Sequence, residues 1–350
     1  MFKPEEVIFA PTAACNLSCS HCRVKRVPDQ LDSKDAIAFL KSCRANGIER
    51  VGFSGGEPFL QPDFLCEVSR AAVSLDMLFG RLMTNAAWFE TPEQLRATLT
   101  ALRDAGFDGR FGVSIDAYHD QDMRDLTLFF ETVFSLWGRQ DCCEIVTTLS
   151  PEGEDSRGML EELAGRLGGR LLIEEDIPYS IVNQAFLDRR EGGVDDAMTL
   201  VIDIVRVAAS APAEENAWKS DAWFDDDFCR GPGNVFYVHP DGTVAVCCGF
   251  ANENDGLLIG RIPADGYREL MRRAQANPVV RACFETGLAT VRERLEAGGS
   301  TFPGKTLDRC FFCDFLAKND FPIPEEQKSA PAERPSAPPQ VRPAGKRYRR

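Results

Sequence analysis

Short apolar runs and longer amphipathic runs alternate from residue 6 to about residue 176, and this alternation constrains the fold more than any other feature. The six apolar runs, which we predict to be strands, read EVIFA, RVGFS, RLMT, FGVSID, EIVTTL and RLLIEE. The five runs between them cover residues 32–47, 62–76, 91–106, 121–137 and 155–169. Several of these begin at Asp, Ser or Thr and end near a glycine, as capped helices do. The pattern predicts an α/β fold of right-handed βα units on a parallel sheet, either an open barrel or a doubly wound sheet, with ligands at the carboxyl ends of the strands.

The pattern changes after residue 176. Residues 193–211 have helical spacing and predict one more helix. NVFYVHPDGTVAVCC contains two β-rich runs joined by HPDG, a strong hairpin signal, and helical spacing resumes from about 266 to 297. We therefore predict three units: a core domain (1–211), a smaller module (212–320) and a disordered, Pro-rich basic tail (321–350).

Charge and cysteine content limit the class of protein. The net charge is −14, but residues 327–350 carry seven Lys or Arg and one acid, so the tail is +6 and the remainder −20. A body this acidic repels phosphate backbones, which disfavours nucleic acid as a partner. The start, MFKPEEVIFA, has acids where a signal peptide has basic residues, and no apolar run approaches the length of a membrane span. We expect a cytoplasmic protein with no membrane partner, and we expect several of its thirteen cysteines to serve metal binding or catalysis rather than disulfides.

Three cysteines stand close together directly after the first predicted strand, in ACNLSCSHCR. Cys15, Cys19 and Cys22 would share one loop at the carboxyl end of that strand. Three thiolates can hold three irons of a cubane and leave the fourth open to a ligand, whereas a tetrahedral zinc needs a fourth protein ligand. The alternative is a zinc knuckle that recruits His21 or a distant cysteine.

The second predicted strand ends in GGEP, residues 55–58. Small residues there let the backbone approach a ligand, and the Glu57 carboxylate can meet a cationic amine. Taken alone, GGEP is also compatible with a simple turn between a strand and a helix.

Together, CNLSCSHC and GGEP resemble the radical SAM superfamily, and the resemblance covers most of residues 6–180. It implies a partial (β/α)6 barrel in which Cys15, Cys19 and Cys22 bind a [4Fe-4S] cluster. The fourth iron would chelate the amino and carboxylate groups of S-adenosylmethionine (AdoMet). Reductive cleavage of AdoMet then yields a 5′-deoxyadenosyl radical that abstracts a hydrogen from the substrate.

The resemblance also assigns cofactor contacts to other strand ends. The residues implied are His21 by its main chain, Gly55, Gly56, Glu57, Asn85, Ser114 and Asp116. Asn85 follows Thr84 in a recurrent TN pair, and Ser114 and Asp116 would meet the ribose or the substrate. Capping of the next helix is the alternative role for Ser114 and Asp116. The other histidines, His119 and His239, are expected at the surface.

Further cysteines fall in the smaller module. Cys229 and Cys247 flank the predicted hairpin, and CFFC places Cys310 and Cys313 at metal-ligand spacing. The set resembles the twitch or SPASM-like extension of radical SAM enzymes and implies one auxiliary [4Fe-4S] cluster, with structural zinc as the alternative. Cys283 is a reserve ligand for which core packing is also expected, as it is for Cys43, Cys66, Cys142 and Cys143.

Cys248 directly follows Cys247, so in an extended chain their side chains point to opposite faces. If Cys247 is a cluster ligand, Cys248 is a thiol able to return a hydrogen atom to a carbon radical. Radical SAM peptide epimerases resemble this layout. The alternative is that Cys248 packs in the core.

The resemblance implies a ribosomally made peptide or a protein as substrate, and an electron donor such as flavodoxin or ferredoxin. We expect hydrogen abstraction at an α-carbon followed by return from Cys248, that is, epimerisation. The alternatives are a thioether or other crosslink on such a peptide, a small-molecule radical SAM reaction in cofactor biosynthesis, and a zinc-stabilised interaction protein. No segment resembles a leader-binding winged helix, so leader recognition is expected to need a partner or another surface.

Overall fold

The computed structural model of the protein describes residues 2–149, 156–174, 177–190, 199–208, 217–225, 229 and 234–319. Its strands are β1 Glu6–Phe9, β2 Arg50–Phe53, β3 Leu78–Thr84, β4 Arg110–Ser114, β5 Cys143–Leu149, β6 Arg170–Glu174, β7 Ile177–Val182, β8 Val201–Ala208, β9 Val235–Val238, β10 Thr243–Ala245 and β11 Leu258–Arg261. They form one sheet in the order β11-β10-β9-β1-β2-β3-β4-β5-β8-β7-β6. The strands from β9 through β8 in that order are parallel, which confirms the predicted α/β class with a partly open parallel sheet.

The helices connect and cover these strands. They are α1 Ser33–Ala45, α2 Pro62–Ser74, α3 Pro92–Asp104, α4 Met123–Trp137, α5 Arg157–Arg166, α6 Gln184–Arg190, α7 Tyr267–Ala276, α8 Pro278–Arg281, α9 Leu288–Ala297 and α10 Arg309–Lys318. The first five lie where the sequence predicted them. The caps explain where they begin: the side chains of Asp32, Thr91 and Asp122 accept hydrogen bonds from the backbone of the first turns of α1, α3 and α4. Among the described residues, no helix has both the length and the apolarity to cross a membrane.

The two faces of the sheet have different surroundings. Phe9, Phe53 and Phe111 are fully buried in the main core, which includes the apolar faces of α1 to α4. On β1, Ile8 and Ala10 point the other way and belong to a separate small cluster with the β9 and β10 side chains. This second face is the concave side of the sheet, and the loops at its carboxyl edge carry the site.

The sixth parallel strand differs from the prediction. RLLIE does form a strand, β6, but it pairs antiparallel with β7 at the sheet edge, and β8 takes the place next to β5. The helix predicted over 193–211 is therefore wrong for Val201–Ala208. Ile202 and Ile204 are buried while Asp203 and Val205 are exposed, which is the two-residue period of a strand, and the run is rich in β-branched residues. Residues 193–198 and 209–211 lie outside the described residues, as does the predicted tail.

The HPDG hairpin is confirmed by β9 and β10, with Gly242 in the left-handed region at φ 84°. β9 pairs in parallel with β1, and the Ala10 N–H donates to the Val238 carbonyl at 2.9 Å, so the hairpin extends the same sheet. Beyond the hairpin, α7 to α9 confirm the predicted helical region. The domain boundary at 211/212 stays a prediction.

Candidate functional site

Cys15, Cys19 and Cys22 lie on the loop between β1 and α1 and line a cavity of about 200 Å³ at the carboxyl ends of β2, β3 and β4. The residues predicted for this site that line the cavity are Cys15, Cys19, Cys22, His21, Gly55, Gly56, Asn85 and Ser114. Glu57 and Asp116 instead lie fully buried behind its wall. The structure therefore brings eight of the predicted residues together around the cavity, whereas the Glu57 and Asp116 carboxylates are buried away from it.

The loop with the thiols is held against GGEP by main-chain contacts. The Gly56 N–H donates to Thr12 O at 2.9 Å, and the Glu57 N–H donates to Ala14 O at 2.8 Å. A Cβ at residue 56 would collide with the Ala14 carbonyl, so only glycine fits there. Arg26 adds a brace, because its guanidinium donates to the carbonyls of Ala13 and Leu17.

Glu57 ties the end of β2 to the end of β3. Its carboxylate accepts hydrogen bonds from the Asn85 N–H at 2.8 Å, Thr84 Oγ1 at 3.0 Å and the Phe59 N–H at 3.1 Å. Burial raises its pKa to about 7, although the three donors act in the opposite direction. The carboxylate thus binds protein donors and fixes the position of Asn85.

Asn85 in turn contacts the cysteine loop through its side chain. Its side-chain amide donates to Asn16 Oδ1 at 2.8 Å and approaches Cys15 Sγ at 3.5 Å. Hydrogen bonds to cluster sulfurs are among the factors that set iron–sulfur potentials. Asn85 is therefore placed to tune a cluster at Cys15 as well as to border a cofactor.

His119 is a site residue that the sequence analysis missed, because it predicted a surface position. The ring is largely buried and lines the cavity, and Nδ1 lies 2.6 Å from Asp116 Oδ1. Asp116 also accepts from the Tyr118 and Thr148 N–H groups. Burial raises the pKa of Asp116, but hydrogen bonding and charge from His119 outweigh it and hold the pKa below its ordinary value. Asp116 thus orients His119 rather than facing the cavity.

His239 was also predicted at the surface and is also buried, with Nε2 3.2 Å from the Asn252 carbonyl. It lies at the end of β9, where the turn folds back over the concave face. The partner of His119 is Asp116, only three residues earlier on the same loop, so the D-x-x-H spacing could have indicated it; the partner of His239 is a carbonyl thirteen residues away.

The donor set fits a multinuclear cluster better than one zinc. A single metal needs ligand atoms that lie close together. Within the described residues, one group of three or more His, Cys, Asp or Glu has all its ligand atoms within 4.8 Å of one another. That group is His21, Asp116 and His119, and it contains no cysteine. Two thiolates on one tetrahedral zinc stand roughly 3.8 Å apart, given bonds of about 2.3 Å. Burial, with Cys15 and Cys22 nearby, raises the pKa of Cys19 to about 11. Three separated thiols in a cavity fit a cubane with one iron left for a cofactor.

A second cavity, of about 40 Å³, is lined by Cys229, Cys247, Cys283, Cys310 and Cys313. The four predicted auxiliary ligands are thus brought together, along with the reserve thiol. Cys247 accepts a hydrogen bond from the Gly249 N–H at 3.2 Å. The remaining lining is mostly apolar, as around a buried cluster. The other cysteines expected in the core, Cys43, Cys66, Cys142 and Cys143, are buried.

Cys248 lies on the other side of the chain from Cys247. Cys247 lines the second cavity, whereas Cys248 packs against the small cluster of Ala10, Tyr237 and Ala245 on the concave face. Tyr237 in turn hydrogen-bonds with Ser54, which lines the first cavity. The thiol is therefore separated from that cavity by one aromatic side chain.

Comparison with known proteins agrees with this geometry. Residues 9–133 match the Radical SAM superfamily. A GTP 3′,8-cyclase of Streptomyces coelicolor is 33% identical over 239 residues, which cover 64% of this chain and 67% of that enzyme. PqqA peptide cyclase of Gluconobacter oxydans is 33% identical over 109 residues, 30% of this chain and 28% of that one. The solved structure of anSMEcpe with bound AdoMet and the Cp18Cys peptide aligns over 89% of this chain and 95% of that chain, at 14% identity and a TM-score of 0.50.

The chain belongs to the radical SAM superfamily. It is a radical SAM enzyme that uses AdoMet with a [4Fe-4S] cluster. It spans about two thirds of the length of the Streptomyces relative and 28% of the Gluconobacter one.

Proposed function

We propose that this enzyme acts on a ribosomally made peptide, that Cys229, Cys247, Cys310 and Cys313 hold an auxiliary [4Fe-4S] cluster, and that Cys248 returns a hydrogen atom to the substrate radical. The observation that carries the proposal is the placement of Cys247 and Cys248 on opposite sides of one segment, one toward the second cavity and one toward the concave face. At the first site, Cys15, Cys19 and Cys22 would hold the cluster that, with AdoMet bound, supplies a 5′-deoxyadenosyl radical.

The charges around the described cavities favour a peptide over a nucleoside triphosphate. A triphosphate carries several negative charges and needs unpaired cations. Among the described residues that line the first cavity, Arg26 is the one Lys or Arg, and one guanidinium that also donates to two backbone carbonyls does not balance the charge of a triphosphate. On the concave face, Arg81 and Arg110 are paired with Glu144 and Asp203.

A groove of about 690 Å³ lies beside the cysteine loop, and its cations are also paired with acids. Its cations are Arg23, Lys25 and Lys318, and its acids are Glu253, Asp255 and Asp314. Arg23 and Lys318 both pair with Asp314, and Lys25 stands 4.0 Å from Asp255. Mixed charge, the partly buried ring of Phe250 and this volume suit a polypeptide segment better than a polyanion.

The proposed reaction removes one hydrogen atom from the α-carbon and returns another. One hydrogen atom leaves the peptide α-carbon with the adenosyl group, which departs as 5′-deoxyadenosine. The Cys248 S–H gives one hydrogen atom to the opposite face of that carbon, which inverts the centre. The resulting thiyl takes up one electron and one proton, and a low-potential donor such as flavodoxin or ferredoxin supplies the electron.

The test uses a precursor peptide encoded beside the gene, with AdoMet and dithionite in heavy water without oxygen. We expect one residue to become the D-isomer with a mass gain of one deuterium, because a thiol proton exchanges with solvent. Cys248→Ala should still release 5′-deoxyadenosine but give no D-residue, while Cys66→Ala, which removes a thiol from the helical core, should match the wild type. Retained epimerisation in Cys248→Ala would rule out this donor.

Two other reactions are separate outcomes of that test. A mass loss of two hydrogens would indicate a crosslink instead of epimerisation. Consumption of GTP in place of peptide would favour the nucleotide chemistry of the Streptomyces relative, which the similarity over 239 residues makes the second candidate.

A further inference from the structure

The second cavity contains one more thiol than a cubane requires. Its five cysteines come from different parts of the chain, and four thiolates complete a [4Fe-4S] cluster. Cys283 is the additional one. It is buried and lies on the π turn Ala282–Thr286 between α8 and α9.

The side chains of Cys283 and Cys313 contact each other. Their sulfurs lie 3.6 Å apart. Two sulfurs on one tetrahedral metal, each about 2.3 Å from it, are separated by roughly 3.8 Å, and ligands of different irons stand further apart because the irons themselves are separated. The observed distance is therefore the one expected for two thiols that compete for, or share, a single metal corner.

The backbone fixes this arrangement. The π turn contains one residue more per turn than an α-helix, and such turns are common at functional sites. It closes with the Gly287 N–H donating to the Ala282 carbonyl at 2.9 Å, with Gly287 at φ 92°. The Cys283 carbonyl accepts from the Cys229 N–H at 3.2 Å, so a predicted ligand on another segment is held beside it.

Cys310 and Cys313 occupy positions i and i+3 on α10, so both side chains leave the same face of that helix. Cys313 is thus approached by Cys310 along its own helix and by Cys283 from the π turn. The Cys247 sulfur accepts a hydrogen bond from the Gly249 backbone N–H at 3.2 Å.

We propose that Cys283 and Cys313 serve one ligand position of the auxiliary site, so that either thiolate can complete the cluster. The inference rests on the proposed auxiliary cluster and adds its fifth thiol. Exchange would need no redox partner: if Cys283 bound the iron as a thiolate, its proton would pass to the departing Cys313 sulfur, and the charge of the site would stay unchanged.

The test isolates the auxiliary site in the full chain carrying Cys15→Ala, Cys19→Ala and Cys22→Ala, reconstituted without oxygen. We expect roughly four irons and four sulfides per chain in this background. Added Cys283→Ala or Cys313→Ala should each keep at least two thirds of that iron, with different electron paramagnetic resonance g values after reduction. The double variant leaves one corner without a thiolate, as Cys247→Ala does, and both should keep less iron than either single variant, whereas Cys66→Ala should match the background.

Three results would overturn the proposal. If Cys313→Ala lost as much iron as Cys247→Ala, and Cys283→Ala gave the same electron paramagnetic resonance spectrum as the background, Cys283 would be a packing residue. A double variant that keeps as much iron as either single variant would exclude the shared corner. Absence of iron in the background would remove the auxiliary cluster itself, while release of 5′-deoxyadenosine by the wild type would remain a separate readout of the first site.

Far-ultraviolet circular dichroism confirms that each variant is folded, and Cys283→Ser provides a second, milder substitution with the same expected retention of iron.

Discussion

Arg23 and Asp314 lie 3.7 Å apart, Nη1 to Oδ2, and each directly follows a cysteine that lines one of the two cavities, Cys22 and Cys313. The Arg23 guanidinium also stands over the Phe250 ring at 4.7 Å. Asp314 is nearly inaccessible to solvent and pairs with Lys318 at 2.7 Å as well. The loop with the first three thiols is therefore fastened to α10, which carries two of the others.

Asp314→Asn should loosen this link. The substitution removes the acid from two ion pairs, one of them with the largely buried Arg23, and we expect the free energy of unfolding to fall by about 1–2 kcal/mol. Urea denaturation without oxygen measures it. The control is Asp255→Asn, because Asp255 is exposed and its pair with Lys25 is 4.0 Å long; we expect less than about 0.5 kcal/mol there. Equal effects of the two substitutions would contradict a structural role for the buried pair.

Glu57 should give the stability of the protein a recognisable pH dependence. Because its folded pKa is raised to about 7 from an ordinary value of 4.5, the folded chain holds a proton that the unfolded chain has released between those values. Its contribution to the free energy of unfolding is full below about pH 4.5 and is lost as the pH rises to about 7, by about 3 kcal/mol in all.

The measurement is the urea midpoint of the metal-free protein at pH 5, 6, 7 and 8. Glu57→Gln carries no proton to lose, so its curve should lack this component and differ from the wild type by an amount that changes with pH. Glu67→Gln, on the exposed face of α2, should keep the wild-type slope. A constant offset between wild type and Glu57→Gln would show that Glu57 does not titrate in this interval.

Gly56→Ala should disturb the first site. Its Cβ would meet the carbonyl oxygen of Ala14, which is backbone and cannot rotate away, so the cysteine loop must shift. We expect the variant to lose most of the iron at the first site and about 1–3 kcal/mol of stability. Gly158→Ala on α5 is the matched control: no atom lies within 4 Å of its Cβ position, so it should keep all iron and gain up to about 1 kcal/mol. Full iron content in Gly56→Ala would show that the loop tolerates the displacement.

His119→Ala should weaken AdoMet binding. Asp116 holds the ring at the cavity wall, and loss of one well-oriented hydrogen-bonding group costs about 1–1.5 kcal/mol, or roughly a tenfold rise in Kd. Equilibrium dialysis of AdoMet with the reconstituted protein measures this. Asp120→Asn is the control, since Asp120 is exposed at φ 45°, a conformation that Asn tolerates. An unchanged Kd in His119→Ala would place the ring outside the AdoMet contact.

Local chemistry accounts for the parts of the structure that the sequence predicted. The spacing of Cys15, Cys19 and Cys22 and the glycines of GGEP are short-range patterns, and parallel strands bring their carboxyl ends together whatever the details of packing. Asn85 and Ser114 therefore line the same cavity as the three cysteines. Adjacent residues of an extended segment alternate in direction, which is why Cys247 and Cys248 separate as expected.

Long-range pairing accounts for what the sequence could not show. Val201–Ala208 is apolar at both helical and strand periods, and its place beside β5 depends on register with Ile145 and its neighbours. The buried position of Asp116, and hence of His119, depends on the Thr148 N–H of β5. The approach of Cys283 to Cys313 depends on a π turn, for which the sequence carries no reliable pattern.

Release of 5′-deoxyadenosine shows whether the three-cysteine cavity holds the cluster that cleaves AdoMet. Anaerobically reconstituted protein with AdoMet and dithionite should release it in the wild type and in Cys43→Ala, whose thiol is buried in α1, and should release none in Cys19→Ala. Equal release by the wild type and Cys19→Ala, or none by a wild type that has bound its iron, would contradict the assignment of the three-cysteine cavity.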